Sequence, residues 1–178
     1  WFRALLGYRE VNVAQRDCVA ELTGSLIIDR ARNIGFCGLS ERCNYAGAVA
    51  MAHAFALEHV LVFDLAAGEY HTNVVMSALG GRAVLLCPNG FADPKVADAI
   101  ASGYESAILI DTAEKSQFVG NCIALGERGL WMSASAERAL RPGTRSAIKG
   151  VELDIHSVEL DELEKAGGSL RCMIGEIY

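Results

Sequence analysis

Thr23-Gly24-Ser25-Leu26-Ile27-Ile28 begins a pattern to which the chain returns three times: polar residues, then an apolar strand-like run. His71-Thr72-Asn73-Val74-Val75-Met76, Val119-Gly120-Asn121-Cys122-Ile123-Ala124 and Gly168-Ser169-Leu170-Arg171-Cys172-Met173 repeat it. Ser25, Asn73, Asn121 and Ser169 stand 48 residues apart at each step. A fixed period of this size is the mark of packed structural repeats. The remainder of each unit agrees. A second apolar run follows at 33–39, 82–87 and 129–133, and a third at 60–65, 107–110 and 151–155. Between them lie helical segments: Ala-rich 46–57, then 95–101 after the N-cap and N1 pair Asp93-Pro94, then a shorter 134–140 ending at Pro142-Gly143. Strand, strand, helix, strand recurs three times, and a fourth unit starts at Gly168 and stops after one strand.

A unit of this size cannot bury its own faces, so the copies must pack on one another. Apolar strands with no charged cap segment favour closure into a ring over a rod. The expected fold is α/β, a pseudo-symmetric propeller of ββαβ units with about three and a half units in this chain. Three ordinary strand-helix-strand units in an open sheet are the alternative.

The 178 residues carry 52% hydrophobic and 21% charged side chains, which suits one globular domain with a sizeable core. A net charge of -6 with scattered basic residues argues against nucleic acid or an anionic membrane as partner. No apolar run reaches the roughly 18 residues needed to span a bilayer. The six cysteines show no Cys-x-x-Cys pair or zinc spacing, so no metal is expected and a reducing, cytoplasmic setting is. The chain enters an apolar stretch directly at Trp1, which reads as the middle of a fold.

If the units surround an axis, the start of each first strand faces the same central place. Glu21, His71 and Cys172 lie at such starts, separated by 50 and 101 residues, close to one and two periods. A thiol and an imidazole make a nucleophile and general acid/base pair, and a carboxylate orients the imidazole or holds a cationic substrate. A buried structural thiol is the plain alternative for Cys172.

Four local sequences stand in order: Glu21-Leu22-Thr23-Gly24-Ser25, Gly38-Leu39-Ser40-Glu41-Arg42-Cys43-Asn44, Tyr70-His71-Thr72-Asn73 and Gly167-Gly168-Ser169-Leu170-Arg171-Cys172-Met173. Together they resemble the guanidine-modifying superfamily of the pentein fold: arginine deiminases, dimethylarginine dimethylaminohydrolases and amidinotransferases. The closest likeness is to the amidinotransferase-like, citrulline-forming hydrolases of bacteria and protozoa. The resemblance runs from about Cys18 onward and implies a five-bladed α/β propeller. Five units would need about 240 residues. It therefore implies a single catalytic domain over 1–178 whose N-terminal part is missing, together with the aspartate that the family supplies there for the substrate guanidinium.

By the same resemblance Cys172 is the nucleophile, His71 the acid/base and Glu21 the carboxylate near the guanidinium. Arg42 sits where the family binds the substrate α-carboxylate, a group that a planar guanidinium fork suits. Asn73 stands where arginine deiminases carry an aspartate, and a neutral amide weakens the hold on an unsubstituted guanidinium. Leu22 and Cys43 also depart from the family pattern, which more often has a small residue and a threonine. The implied reaction is hydrolysis of arginine or a methylated arginine to citrulline through an amidino-thioether, with no cofactor. Amidino transfer by the same Cys/His pair and a non-catalytic propeller binding module are the alternatives. The expected partners are a small guanidino substrate and either a second copy or the missing N-terminal fragment.

Overall fold

After a short helix, α1 (Phe2–Leu6), the chain builds one motif three times. The computed structural model describes residues 2–8, 10–12 and 17–176, so Trp1 lies outside the described residues. The first unit is β1 (Leu26–Asp29), β2 (Ile34–Leu39), α2 (Tyr45–Ala54) and β3 (His59–Asp64). The second opens with the single turn α3 (Thr72–Val75) and continues as β4 (Met76–Leu79), β5 (Ala83–Leu86), α4 (Pro94–Ser102) and β6 (Ala107–Leu109). After α5 (Thr112–Ser116) the third comprises β7 (Ile123–Leu125), β8 (Gly129–Ser133), α6 (Ala134–Ala139), α7 (Pro142–Gly150) and β9 (Asp154–Val158). A single turn, α8 (Asp161–Glu164), and a 3₁₀ turn at Leu170–Met173 follow.

Each unit is its own three-stranded sheet. The first strand pairs antiparallel with the second through a tight turn, and the third returns parallel after the helix. Of the two main helix caps, the sequence predicts the Asp93-Pro94 one and leaves Asn44 unread. Asn44 accepts from Gly47 N at 2.8 Å to start α2, and Asp93 accepts from Lys95 N at 3.0 Å with Pro94 at N1 to start α4.

The middle strands show why the units cannot stand alone. β5 is buried along its whole length. Its side chains alternate, as any strand's must. Ala83 and Leu85 enter a core shared with Leu130, Met132 and Ile148 of the third unit. Val84 and Leu86 enter one shared with Phe36 and Phe63 of the first unit, with Ala97 and Ile100 of α4 between. A third core packs α2 on the first sheet through Cys37, Ala48 and Met51. Each helix thus fills the space beside its own sheet, and β1, β4 and β7 come side by side.

Three expectations shift. The first strand of the second unit starts later, because Thr72 Oγ1 donates to Ser25 O at 2.6 Å and Asn73 N to Gly24 O at 3.0 Å, drawing 72–75 into a helical turn. Pro142-Gly143 starts α7 rather than ending the helical segment, since Pro at N1 is pre-set for a helix. The strand after it therefore begins only at Asp154, with Leu153 N closing on Ile148 O at 3.3 Å. Finally, residues 168–173 form no strand. Gly167 and Gly168 take φ of 90° and 80°, and Cys172 N folds back to Ser169 O at 3.0 Å. Among the described residues no helix is long and apolar enough to cross a membrane.

Candidate active site

A cleft of about 430 Å³ is lined by Glu21, Arg42, His71 and Cys172, together with Leu22, Thr23, Gly24, Tyr70 and the 166–168 turn. Four of the five residues expected at the site therefore share one cavity. The elements that deliver them are tied to one another. Glu21 N donates to Arg42 O at 3.0 Å, and Ala20 bridges Cys43, which pins the segment before β1 against the turn after β2. In that turn the Ser40 hydroxyl accepts from Arg42 N at 3.0 Å and donates to Tyr70 O at 2.7 Å. One side chain thus fixes the Arg42 turn to the residue before His71.

His71 is the N-cap of α3 and only 8% exposed. Gly24 packs against its ring so closely that a Cβ there would stand 2.2 Å from Nδ1. Its Nε2 lies 3.3 Å from Glu21 Oε1, near enough to pair but without hydrogen-bond alignment. Glu21 Oε2 accepts from Arg42 Nη1 at 3.0 Å. That hydrogen bond is the main reason the Glu21 carboxyl is held below its ordinary range, with the charges of His71 and Arg42 adding to it against burial. Burial pushes the His71 imidazole down, Arg42 adds to the shift, and Glu21 opposes it. The neutral imidazole is thereby favoured at neutral pH, the form that can accept a proton.

Cys172 rides on the 3₁₀ turn, which is fastened from outside. Glu164 accepts from Ser169 Oγ and from Ser135 Oγ, both at 2.5 Å, joining the cysteine turn to the start of α6. Gly168 leaves 3.3 Å between a would-be Cβ and the Cys172 sulfur. Arg171 is 7% exposed; it pairs with Glu176 and donates to Ile174 O at 3.2 Å.

Asn73 does not line the cleft. It is fully buried, and its amide faces the sulfur, with Nδ2 at 3.3 Å and Oδ1 at 3.5 Å from Sγ. Beside it stands Asn121, also fully buried, whose Nδ2 is 3.2 Å from Sγ. Sequence reasoning placed Asn121 in the repeat but gave it no role. The signal was present, because Asn121 is the 48-residue equivalent of Asn73 and so occupies the same station one unit on. Among the described residues no group of three or more His, Cys, Asp or Glu side chains could hold a metal, and all six cysteines are free.

Three solved structures show the same fold. The N-terminal domain of ArgZ, an arginine dihydrolase from the ornithine-ammonia cycle in cyanobacteria, bound to substrate, is 18% identical with a TM-score of 0.76, over 89% of this chain and 57% of that one. AgrE in binary complex with L-arginine is 20% identical at a TM-score of 0.76, over 89% of this chain and 23% of that one. A dimethylarginine dimethylaminohydrolase adduct with 4-chloro-2-hydroxymethylpyridine is 20% identical at 0.66, over 90% and 58%. The chain spans little more than half the length of the ArgZ domain and of the dimethylarginine dimethylaminohydrolase. No curated protein matches it. The family model described as eukaryotic N,N dimethylarginine dimethylhydrolase, however, matches residues 5–178, and the chain belongs to that family, within the guanidine-modifying proteins of pentein fold.

Proposed function

We propose that residues 1–178 act as one catalytic domain that hydrolyses the guanidino group of arginine or a methylated arginine to citrulline. The observation that carries this reading is the shared cleft of Cys172, His71, Glu21 and Arg42. The Cys172 thiolate attacks the central guanidinium carbon, which its positive charge makes electrophilic. His71, having taken the thiol proton of Cys172 as the thiolate formed, gives it to the departing amine, and the carbon–nitrogen bond breaks to leave an amidino-thioether on Sγ. Neutral His71 then takes a proton from water as the oxygen attacks the same carbon. The carbon–sulfur bond breaks, citrulline leaves and the thiolate returns.

Glu21 faces both the imidazole and the cleft, so it stabilises the imidazolium and lies where a guanidinium would. Arg42 is half exposed at the rim and presents its fork to the substrate α-carboxylate. Support comes from the family match, and from one relative: ArgZ is described as an arginine dihydrolase, and its N-terminal domain has been crystallised covalently bound to a reaction intermediate. The test is citrulline release from arginine and from dimethylarginine by the chain and by Cys172→Ser, with the Cys172 peptide weighed after quenching. We expect release and an amidino adduct in the parent only. Equal release by both proteins, or neither release nor adduct from either substrate, overturns the proposal.

A further inference from the structure

We propose that Cys37 and Cys43 form a covalent modification site: a dithiol that hydrogen peroxide closes to a disulfide, resetting the turn that carries Arg42. Neither thiol has a part in the cleft chemistry. Both are fully buried, Cys37 within β2 and Cys43 in the turn after it, and their sulfurs stand 3.6 Å apart. Two thiols already in contact have met the main entropic cost of a cross-link, which is bringing two points of the chain together.

The protons on the pair are ordered by a third group. The Cys43 thiol donates to Asn44 O at 3.6 Å, and a carbonyl can only accept. With its own proton committed there, Cys43 presents a lone pair to Cys37, whose S–H becomes the donor between them. That hydrogen bond holds the Cys43 thiol below its ordinary range against burial, and pushes the Cys37 thiol up together with burial. Cys43 is therefore the thiol that attacks, and Cys37 the one that resolves. The Cys43 sulfur takes one peroxide oxygen, the O–O bond breaks, and the Cys43 proton leaves with the other oxygen as water. Cys37 then attacks the sulfenic sulfur; the S–O bond breaks, and a second water carries off the Cys37 proton. Two thiols lose two electrons and peroxide gains them. Cys43 adjoins the exposed Arg42, so a molecule little larger than water needs only a local opening of the turn.

Closing the sulfurs from contact to a bond of about 2 Å requires one side to yield. Cys37 is paired on both flanks, with Leu26 of β1 and Val62 of β3. Cys43 rests on isolated bridges to Ser40 and Ala20, so the turn is the side that moves. Arg42 travels with it, and so does Glu21, whose N–H is bonded to Arg42 O at 3.0 Å. The consequence for a bound carboxylate rests on the function proposed above; the bond and the movement do not.

The test uses the Cys172→Ser chain, so that the cleft thiol takes no part. The folded chain is treated with hydrogen peroxide, then unfolded, blocked with iodoacetamide and cut with trypsin without reduction. Cleavage after Arg42 puts Cys37 in the 33–42 peptide and Cys43 in 43–82, so a disulfide between them joins the two masses. We expect the joined pair, its loss on adding dithiothreitol, and a shifted Glu21 backbone amide signal by nuclear magnetic resonance of the oxidised chain. Adding Cys37→Ala should abolish the shift. Two separately blocked peptides, at an exposure that consumes the partly exposed Cys18, overturn the inference. So does a joined pair with the Glu21 signal unmoved, or a shift that persists in Cys37→Ala. Should Cys37→Ala fail to fold by circular dichroism, the joined masses and the Glu21 signal of the Cys172→Ser chain decide. Every readout is independent of catalysis, so a chain that releases no citrulline can still pass or fail.

Discussion

At His71, burial and the Glu21 carboxylate pull the imidazole in opposite directions, and burial is the larger. Glu21→Gln removes the upward pull, so the His71 ring signals should titrate at lower pH than in the parent. A midpoint unchanged or raised would contradict the pairing across 3.3 Å. The same balance has a stability consequence. A histidine whose folded value is depressed is fully compatible with folding above its ordinary value of 6.5. As pH falls below that, the unfolded chain takes up the proton first and stability is lost. Urea midpoints between about pH 7.5 and pH 5.5 should therefore drop less in His71→Gln than in the parent, the other three histidines being common to both. Equal drops would mean that His71 is not the group responsible. At this scale the sequence was legible where chemistry is rare. A thiol, an imidazole and a carboxylate at repeat starts could be read as a set. Asn121 could not, because an asparagine is unremarkable until its amide is seen against a sulfur, although its 48-residue step from Asn73 marked the station.

The element that joins the units is β5, which sends successive side chains into different cores. Leu85 and Leu86 are both fully buried neighbours in sequence, yet they touch different partners. Each change to alanine should cost about 2–5 kcal/mol by lost transfer energy and a residual cavity. The double variant should be close to the sum, since the two cavities share no partners. A chemical denaturation series would reveal it, and a double variant far from additive would mean that the cores are one. The succession of strands and helices was readable in advance because apolar runs and helix caps are local signals. The 3₁₀ turn at Leu170–Met173 was not. Its letters match the other strand starts, and what bends it is two glycines with positive φ together with an outside tether. Likewise Pro142 reads as a stop or as a start depending on whether a helix follows, which only the packing of Ile148 into the third-unit core decides.

Across the whole molecule, two of the three cores are shared between successive units, so the units should unfold together. Amides of β2, β5 and β8 are expected to exchange with deuterium at a common, slow limit that tracks global stability. Opening of β8 far ahead of β5 would show that the third unit is a separate cooperative block. The fold class was legible because a repeat reports itself by its period, whereas closeness across the axis is a property of several units at once and no single stretch encodes it. The Glu164 carboxylate acts here as a rivet through two plates. Its hydroxyl partners sit on α6 and on the cysteine turn, so the turn inherits its position from the third unit instead of from its own short run of chain. A thiol mounted in this way is a fixture rather than an arm: its tolerance is that of the frame, and wear anywhere in the third unit is felt as misalignment at the sulfur.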